Sequence, residues 1–386
     1  MKKSLIAIAV LGAAAFSAQA ANVTLYGTVD AGFAYNHVKI KDNGVAEGDT
    51  VNSFKMADGL NGANKIGIKG EEDLGNMKVG FKLENKFKLS NGNLGDSNKL
   101  FQREARMYVK SEFGEIGAGR FGGLASAAGS YDVFFANADA FDGGDNEVPY
   151  AFSTSDRYDN SIAYQSPEIA GFQGTLMYSF QEKGDQADKM KNNNRYIGAG
   201  LTYNLDALNV VGVFEGHIRN KDDKGDEYKN GFTYNLGANY DFGVAKAFVG
   251  GQYAKDVNLS TVQSGLDLDA FGDEGISKKV KNIQVKGYAF TVGAQVPVFA
   301  ADKLTVGSYY GSFKNSHDLV DYGGVMLGAK DGKMKIYGLS ARYEHALSKR
   351  SNIYAGAGYG RTKLDFLEND IKKDIGQVYV GLHHNF

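Results

Sequence analysis

The run MKVGFKLENKFKL, Met77 to Leu89, sets Val79, Phe81, Leu83, Phe87 and Leu89 at one parity and Lys78, Lys82, Glu84, Lys86 and Lys88 at the other. Side chains alternate across an extended strand, so this period of two predicts a strand with one apolar and one strongly polar face. The pattern recurs. In FQGTLMYSF, Phe172, Leu176, Tyr178 and Phe180 oppose Gln173, Thr175 and Ser179, and around residues 234–242 Tyr234, Leu236, Ala238, Tyr240 and Phe242 oppose Asn235, Asn239 and Asp241.

The punctuation between such runs gives the strand number. Seven short turns fall at Asp73–Asn76, Glu112–Glu115, Ser166–Gly171, Asn204–Leu208, Asp241–Val244, Phe299–Lys303 and Leu347–Ser351. Eight longer polar stretches lie near residues 37–60, 90–99, 122–156, 183–193, 220–229, 256–281, 314–332 and 364–374. Short and long connections alternate and join sixteen strands, with both chain ends on the short-turn side. Pro149, Pro167 and Pro297 fall in a long loop, in a short turn and at a strand end, where no central ladder bond is lost.

A soluble sandwich would have to hide sixteen apolar faces in one core and would not explain turns that are short on one side only. A bilayer requires every backbone donor and acceptor to be paired within the protein, so a sheet spans it only by closing without edges. The chain is therefore all-β, a transmembrane antiparallel β-barrel of sixteen strands whose apolar faces meet lipid. No run in the mature chain approaches the roughly 18 apolar residues of a helical span. Tyr26, Tyr178, Tyr203 and Tyr343 stand at strand ends, where an apolar ring with a wet hydroxyl suits the headgroup zone.

Composition fits this architecture. The 386 residues include 51 Gly, 3 Pro, no Cys and no Trp, against a norm of about 7% Gly and about 5% Pro. Collagen would need abundant proline, and the 12% aromatic content argues against disorder. Forty-three basic against 45 acidic side chains provide no excess for a phosphate backbone, so nucleic acid is not an expected partner. At the amino terminus, Lys2 and Lys3, the apolar run Leu5–Phe16 and the small-x-small Ala18-Gln19-Ala20 predict a signal peptide over residues 1–20, leaving residues 21–386 as the barrel domain.

A barrel of about sixteen strands is too wide for side chains to fill and encloses water. The long connection Gly122–Asp156, the third, is the natural candidate to fold into the lumen; it carries Asp132, Asp139, Asp142, Asp145 and Glu147. Parity turns Lys65, Lys69, Lys82, Glu84, Lys86 and Arg157 inward. Wall cations set against loop acids across a narrow wet opening would impose a transverse field and an ion preference.

Six stretches, taken in order, resemble the general diffusion porins of the Gram-negative outer membrane: VTLYGTVDAGF (Val23–Phe33), NKIGIKGEEDLG (Asn64–Gly75), FKLEN (Phe81–Asn85), FQREARMYV into EFGEIGAGRF (Phe101–Phe121), RYDNSIAYQSPEIAGF (Arg157–Phe172) and VYVGLHHNF (Val378–Phe386). The resemblance implies a trimer in the outer membrane, with lipid and lipopolysaccharide around it and the third loop in each pore. It implies a basic wall ladder at Lys65, Arg103 and Arg157, with a wall glutamate at Glu84. Lys65 stands for a usual arginine, keeping the charge and losing the planar fork. Parity conflicts with this at Arg103, which shares a face with Ala105, Met107 and Val109 while Glu104 and Arg106 share the polar one. Either a bulge shifts the register or Arg106 faces the lumen instead. Arg120 resembles a position near the subunit contact, so pore and interface readings both stand. Phe386 closes an alternating strand, and in this family a terminal aromatic strand resembles the signal read by the outer-membrane insertion machinery.

The expected function is a passive, non-specific channel for small hydrophilic solutes and ions, leaning weakly toward anions because the carried-over wall positions hold three cations and one anion, although the third loop carries five acids of its own. No cofactor and no enzymatic activity are expected. Gly117, Gly119 and Gly122 spell GxGxxG, but at a strand end with no helix to follow. The histidines are scattered, no G-x-S-x-G elbow occurs, and adjacent His383 and His384 point to opposite faces. Alternatives are a barrel whose loops serve adhesion and a barrel phospholipase. Asp222, Asp223, Asp226 and Glu227 could hold Ca²⁺ between subunits, although an acidic loop is more often simply solvated.

Overall fold

The computed structural model describes residues 21–42, 50–95, 98–187, 189–220, 229–266, 283–299, 301–316, 332–365 and 370–386. The expected signal peptide and the acids at 222, 223, 226 and 227 lie outside them.

The described chain forms β1 (Ala21–Asp42), β2 (Thr50–Asp58), β3 (Lys65–Asp73), β4 (Met77–Lys86), β5 (Glu104–Ser111), β6 (Gly114–Gly122), β7 (Arg157–Gln165), β8 (Phe172–Ser179) and β9 (Arg195–Leu205). It continues through β10 (Leu208–Ile218), β11 (Gly231–Asp241), β12 (Lys246–Asn258), β13 (Gln284–Val298), β14 (Asp302–Asn315), β15 (Lys333–Ser348), β16 (Ser351–Asp365) and β17 (Ile371–Asn385). Neighbours pair antiparallel, and β1 pairs with β17, so the sheet closes. The seam is completed where Gly27 and Phe386 exchange two backbone hydrogen bonds of 3.1 Å.

Seventeen segments make sixteen barrel strands because β2 and β3 are halves of one. β1 pairs through residues 31–39 with β2 and through residues 21–28 with β3. Between the halves, residues 59–64 leave the ladder.

All seven short turns stand where the sequence places them, and the sheet is inside out relative to a soluble protein. Leu25, Phe33, Leu176, Leu236, Val292, Leu339 and Val380 are exposed, whereas Asn235, Gln252, Thr291, Thr305, Thr362 and Gln377 are buried. Two expectations fail. The first long stretch, expected over 37–60, is mostly strand, and β17 begins at Ile371 within the stretch expected over 364–374. Past the bilayer neither face needs to be apolar, so the ladder continues through polar residues that read as loop: Lys39 stands opposite Asp374. Tyr26 also leaves the expected girdle, because its hydroxyl donates inward to Glu84 at 3.1 Å. Tyr178 packs outside against Phe180, Tyr203 against Phe172, and Tyr343 is exposed.

The third long connection, between β6 and β7, provides a large share of the buried apolar core, more than any single strand. It contains the single turn α1 (Phe135–Ala138) and lies along the inward face of the wall. Wall glycines make room for it: a Cβ at Gly237 would strike Ala138, one at Gly358 Val148 and one at Gly360 Pro149. Phe134, Phe135 and Phe152 are fully buried in the layer between.

Candidate pore lining

Glu84 on β4 and Glu104 on β5 are directly opposite each other and both buried. Two carboxylates so placed repel, and the arrangement is stable only with cations between and around them. Four supply the charge. Arg103 Nε lies 2.5 Å from Glu84 Oε1 and Lys65 Nζ 3.9 Å from Oε2. Lys82 Nζ lies 2.8 Å from Glu104 Oε2 and Arg106 Nε 2.8 Å from Oε1. Arg106 also reaches Glu115 at 2.5 Å and Tyr131 of the loop at 2.8 Å.

Both arginines reach wall carboxylates, Arg103 at Glu84 and Arg106 at Glu104 and Glu115. β5 begins only at Glu104, so Arg103 sits in the bend before it and is free of strand alternation, while Arg106 is on the polar face that parity gives it. Lys86 stands opposite Lys65, and residues paired across an antiparallel ladder share a face.

Arg120 and Arg157 form a second group. Arg120 donates to Asp159 at 2.6 Å and to the Gln102 carbonyl at 2.9 Å. A bulge lets it do so, since β6 and β7 slip register between Gly119 and Phe121. Arg120, Arg157, Lys99, Lys183 and Asp156 line a cavity of about 860 Å³. Lys99 shares Asp159 with Arg120, and Lys183 pairs with Asp156 at 3.0 Å.

The five loop acids do not act as one set. Asp139 is buried and accepts from the Gly143 and Gly144 amides and from Thr291. Burial raises its pKa. Asp145 is buried against the far wall, 3.6 Å from Arg342 Nη1 and accepting from Tyr379 at 2.8 Å; burial raises its pKa while Arg342 opposes the rise. Asp132 accepts from the Ser126 amide and is raised by burial and by Asp142. Asp142 and Glu147 alone have exposed side chains. The wall around Asp142 displaces bulk water and Asp139 repels it, pushing its carboxyl up to about 6. Lys82 and Arg106 pair with wall carboxylates and touch the loop through Ser130 and Tyr131, and of the five loop acids Asp145 faces a wall cation, Arg342.

Sequence reading missed Glu104, Glu115, Asp159 and Arg342. The first was visible, since its parity places it beside Arg106. The others needed the register and the loop path.

A closed sheet with apolar faces outward, a polar inner wall and a long connection lying within it defines a membrane channel built as a β-barrel. The model of the Gram-negative porins matches residues 7–365, and the chain belongs to that family. It is 32% identical over the whole of both chains to an outer membrane porin protein of Bordetella pertussis. To outer membrane porin protein 32 of Delftia acidovorans it is 29% identical, over 99% of this chain and 94% of that one. Among solved structures it resembles the anion-selective porin from Comamonas acidovorans, with a TM-score of 0.63 and 22% identity over 95% of this chain and all of that one. The protein is a diffusion channel of the Gram-negative outer membrane.

Proposed function

We propose that the channel is a homotrimeric, non-specific pore with weak anion preference, driven only by concentration gradients and carrying no enzymatic activity or cofactor. The observation that supports the preference is the partition of charge. Lys65, Lys82, Lys86, Arg103 and Arg106 stand against Glu84, Glu104 and Glu115, and Lys99, Arg120, Arg157 and Lys183 against Asp156 and Asp159, while Asp139 and Asp145, two of the loop acids, are engaged by backbone amides and by Arg342. Lys65, Lys82, Glu84, Arg103, Arg106, Arg120 and Arg157 form the wall of the narrow zone, and Asp142 and Glu147 its exposed loop acids. Residues 1–20 direct export and are removed, Phe386 is read by the insertion machinery, and lipid and lipopolysaccharide surround the barrel.

Single-channel recording in a planar bilayer across a salt gradient tests the reading. Large ohmic steps in threes, with a reversal potential of the anion sign, are expected. Closed channels from folded protein would overturn it in favour of a barrel that displays its loops.

A further inference from the structure

Residues 59–64, which interrupt the strand shared by β2 and β3, turn into the lumen on the short-turn side. Their contacts fix the direction. The Gly59 amide donates to the Asp30 carbonyl at 2.9 Å and the Asn61 amide to Asp30 Oδ2 at 3.2 Å. Asp30 is fully buried and faces inward, between exposed neighbours of opposite parity such as Leu25 and Phe33. A Cβ at Gly62 would meet the ring of His383, which itself reaches Asp30 at 2.9 Å. The turn carries Asn61 across β1 and β17, and its Nδ2 lies 3.3 Å from Glu344 Oε2 on β15 and 3.2 Å from Asn352 Oδ1 on β16.

Glu344 connects this turn to the infolded loop. Arg342, two residues earlier on the same face of β15, lies 3.4 Å from Glu344 Oε1 through Nε and 3.6 Å from Asp145 Oδ1 through Nη1. Its guanidinium stacks 4.9 Å from the ring of Phe141, also in the loop. Only a planar, forked cation can serve an acid on each side and a ring face together.

The geometry points to a new role for Arg342, resting on the diffusion-pore reading: it is a positioning residue that braces two inward elements, the loop through Asp145 and Phe141 and the 59–64 turn through Glu344. The turn is a second inward element of the pore, and the brace keeps both elements fixed while cancelling the Asp145 charge.

Arg342→Ala and Arg342→Lys separate these effects in the full-length barrel, with folding confirmed by circular dichroism. In R342A the open channel becomes noisier, conductance rises, and the reversal potential moves toward cations because Asp145 is left unpaired. In R342K the ammonium restores the reversal potential but not the quiet channel, since it cannot serve Asp145, Glu344 and Phe141 together. Amide hydrogen exchange over residues 59–64 and 141–149 provides a readout that needs no conduction, and it speeds up in both segments of R342A. A folded R342A with exchange unchanged in either segment overturns the brace, as does a channel whose noise and reversal potential match the unsubstituted protein. A silent unsubstituted protein overturns the pore reading instead, and exchange still decides the brace.

Discussion

Arg103 Nε lies 2.5 Å from Glu84 Oε1 although Arg103 belongs to no strand, its own backbone amide donating to the Glu84 carbonyl at 3.1 Å. One wall residue thus holds the arginine twice, by backbone and by side chain. Replacing Glu84 with Gln keeps the shape, leaves the backbone bond and removes the charge that offsets Arg103 and Lys65. The reversal potential of E84Q moves further toward anions, and the effect weakens at high salt as the freed cations are screened. A shift toward cations would contradict this placement of the charge.

Arg106 is enclosed between Glu104, Glu115 and Tyr131, with its guanidinium 4.4 Å from the Tyr108 ring. Arg106→Ala strips Glu115 of its cation and leaves Glu104 to Lys82 alone, a loss of at most about 3–5 kcal/mol, the cost of a buried pair broken on one side. Denaturant unfolding in vesicles measures it. Adding Glu115→Gln to R106A recovers part of the loss, because it removes the stranded charge.

How much of this was legible follows from what strand parity can report. The run at Met77–Leu89 shows both faces of β4, and Lys82 and Glu84 fall inward as their parity requires. Arg103 and Arg120 were ambiguous for one reason: each sits at a break in the ladder, the start of β5 and the bulge before Phe121, where alternation carries no information. The partners of the loop acids were out of reach altogether. Asp145 meets Arg342 across 197 positions of sequence, and only the path of the loop inside the barrel brings them together. The strand break at 59–64 is hidden in the sequence because it falls at the end of the stretch near 37–60 that reads as loop, just before the run that begins at Asn64.

Asp142 gives the pore a pH dependence. Desolvation by the surrounding protein and repulsion from Asp139 push its carboxyl up to about 6. As pH falls from 7 to 5 the carboxylate takes up a proton, the lumen loses a negative charge, and anion preference increases. Linkage has the matching sign: a carboxyl raised above its unfolded value near 3.9 contributes stability below that value and loses it as pH rises through about 6. Reversal potentials between pH 5 and 7 report the step, and Asp142→Asn flattens it. A step that survives in D142N belongs to another group.

The loop seat is tested at Gly237, where a Cβ would strike Ala138 at the end of α1. Gly237→Val overpacks a contact between backbone-fixed atoms, at about 1–3 kcal/mol. The barrel still closes, because β11 keeps its ladder to β10 and β12. The expected result is a folded channel with altered conductance and a lower unfolding midpoint, and unchanged conductance would place α1 away from the conducting path.

Phe386 separates folding from export. Its backbone closes the seam with Gly27, and its ring occupies the space a side chain at Gly27 would need. Phe386→Ala retains both backbone bonds and removes only a ring that is 42% exposed, so the refolded barrel loses little stability in vitro. If the terminal aromatic residue is what the insertion machinery reads, the same substitution sharply lowers the amount reaching the outer membrane of cells. Comparing refolding yield with membrane yield distinguishes the two roles, and equal, small losses in both assays would reduce Phe386 to an ordinary strand end.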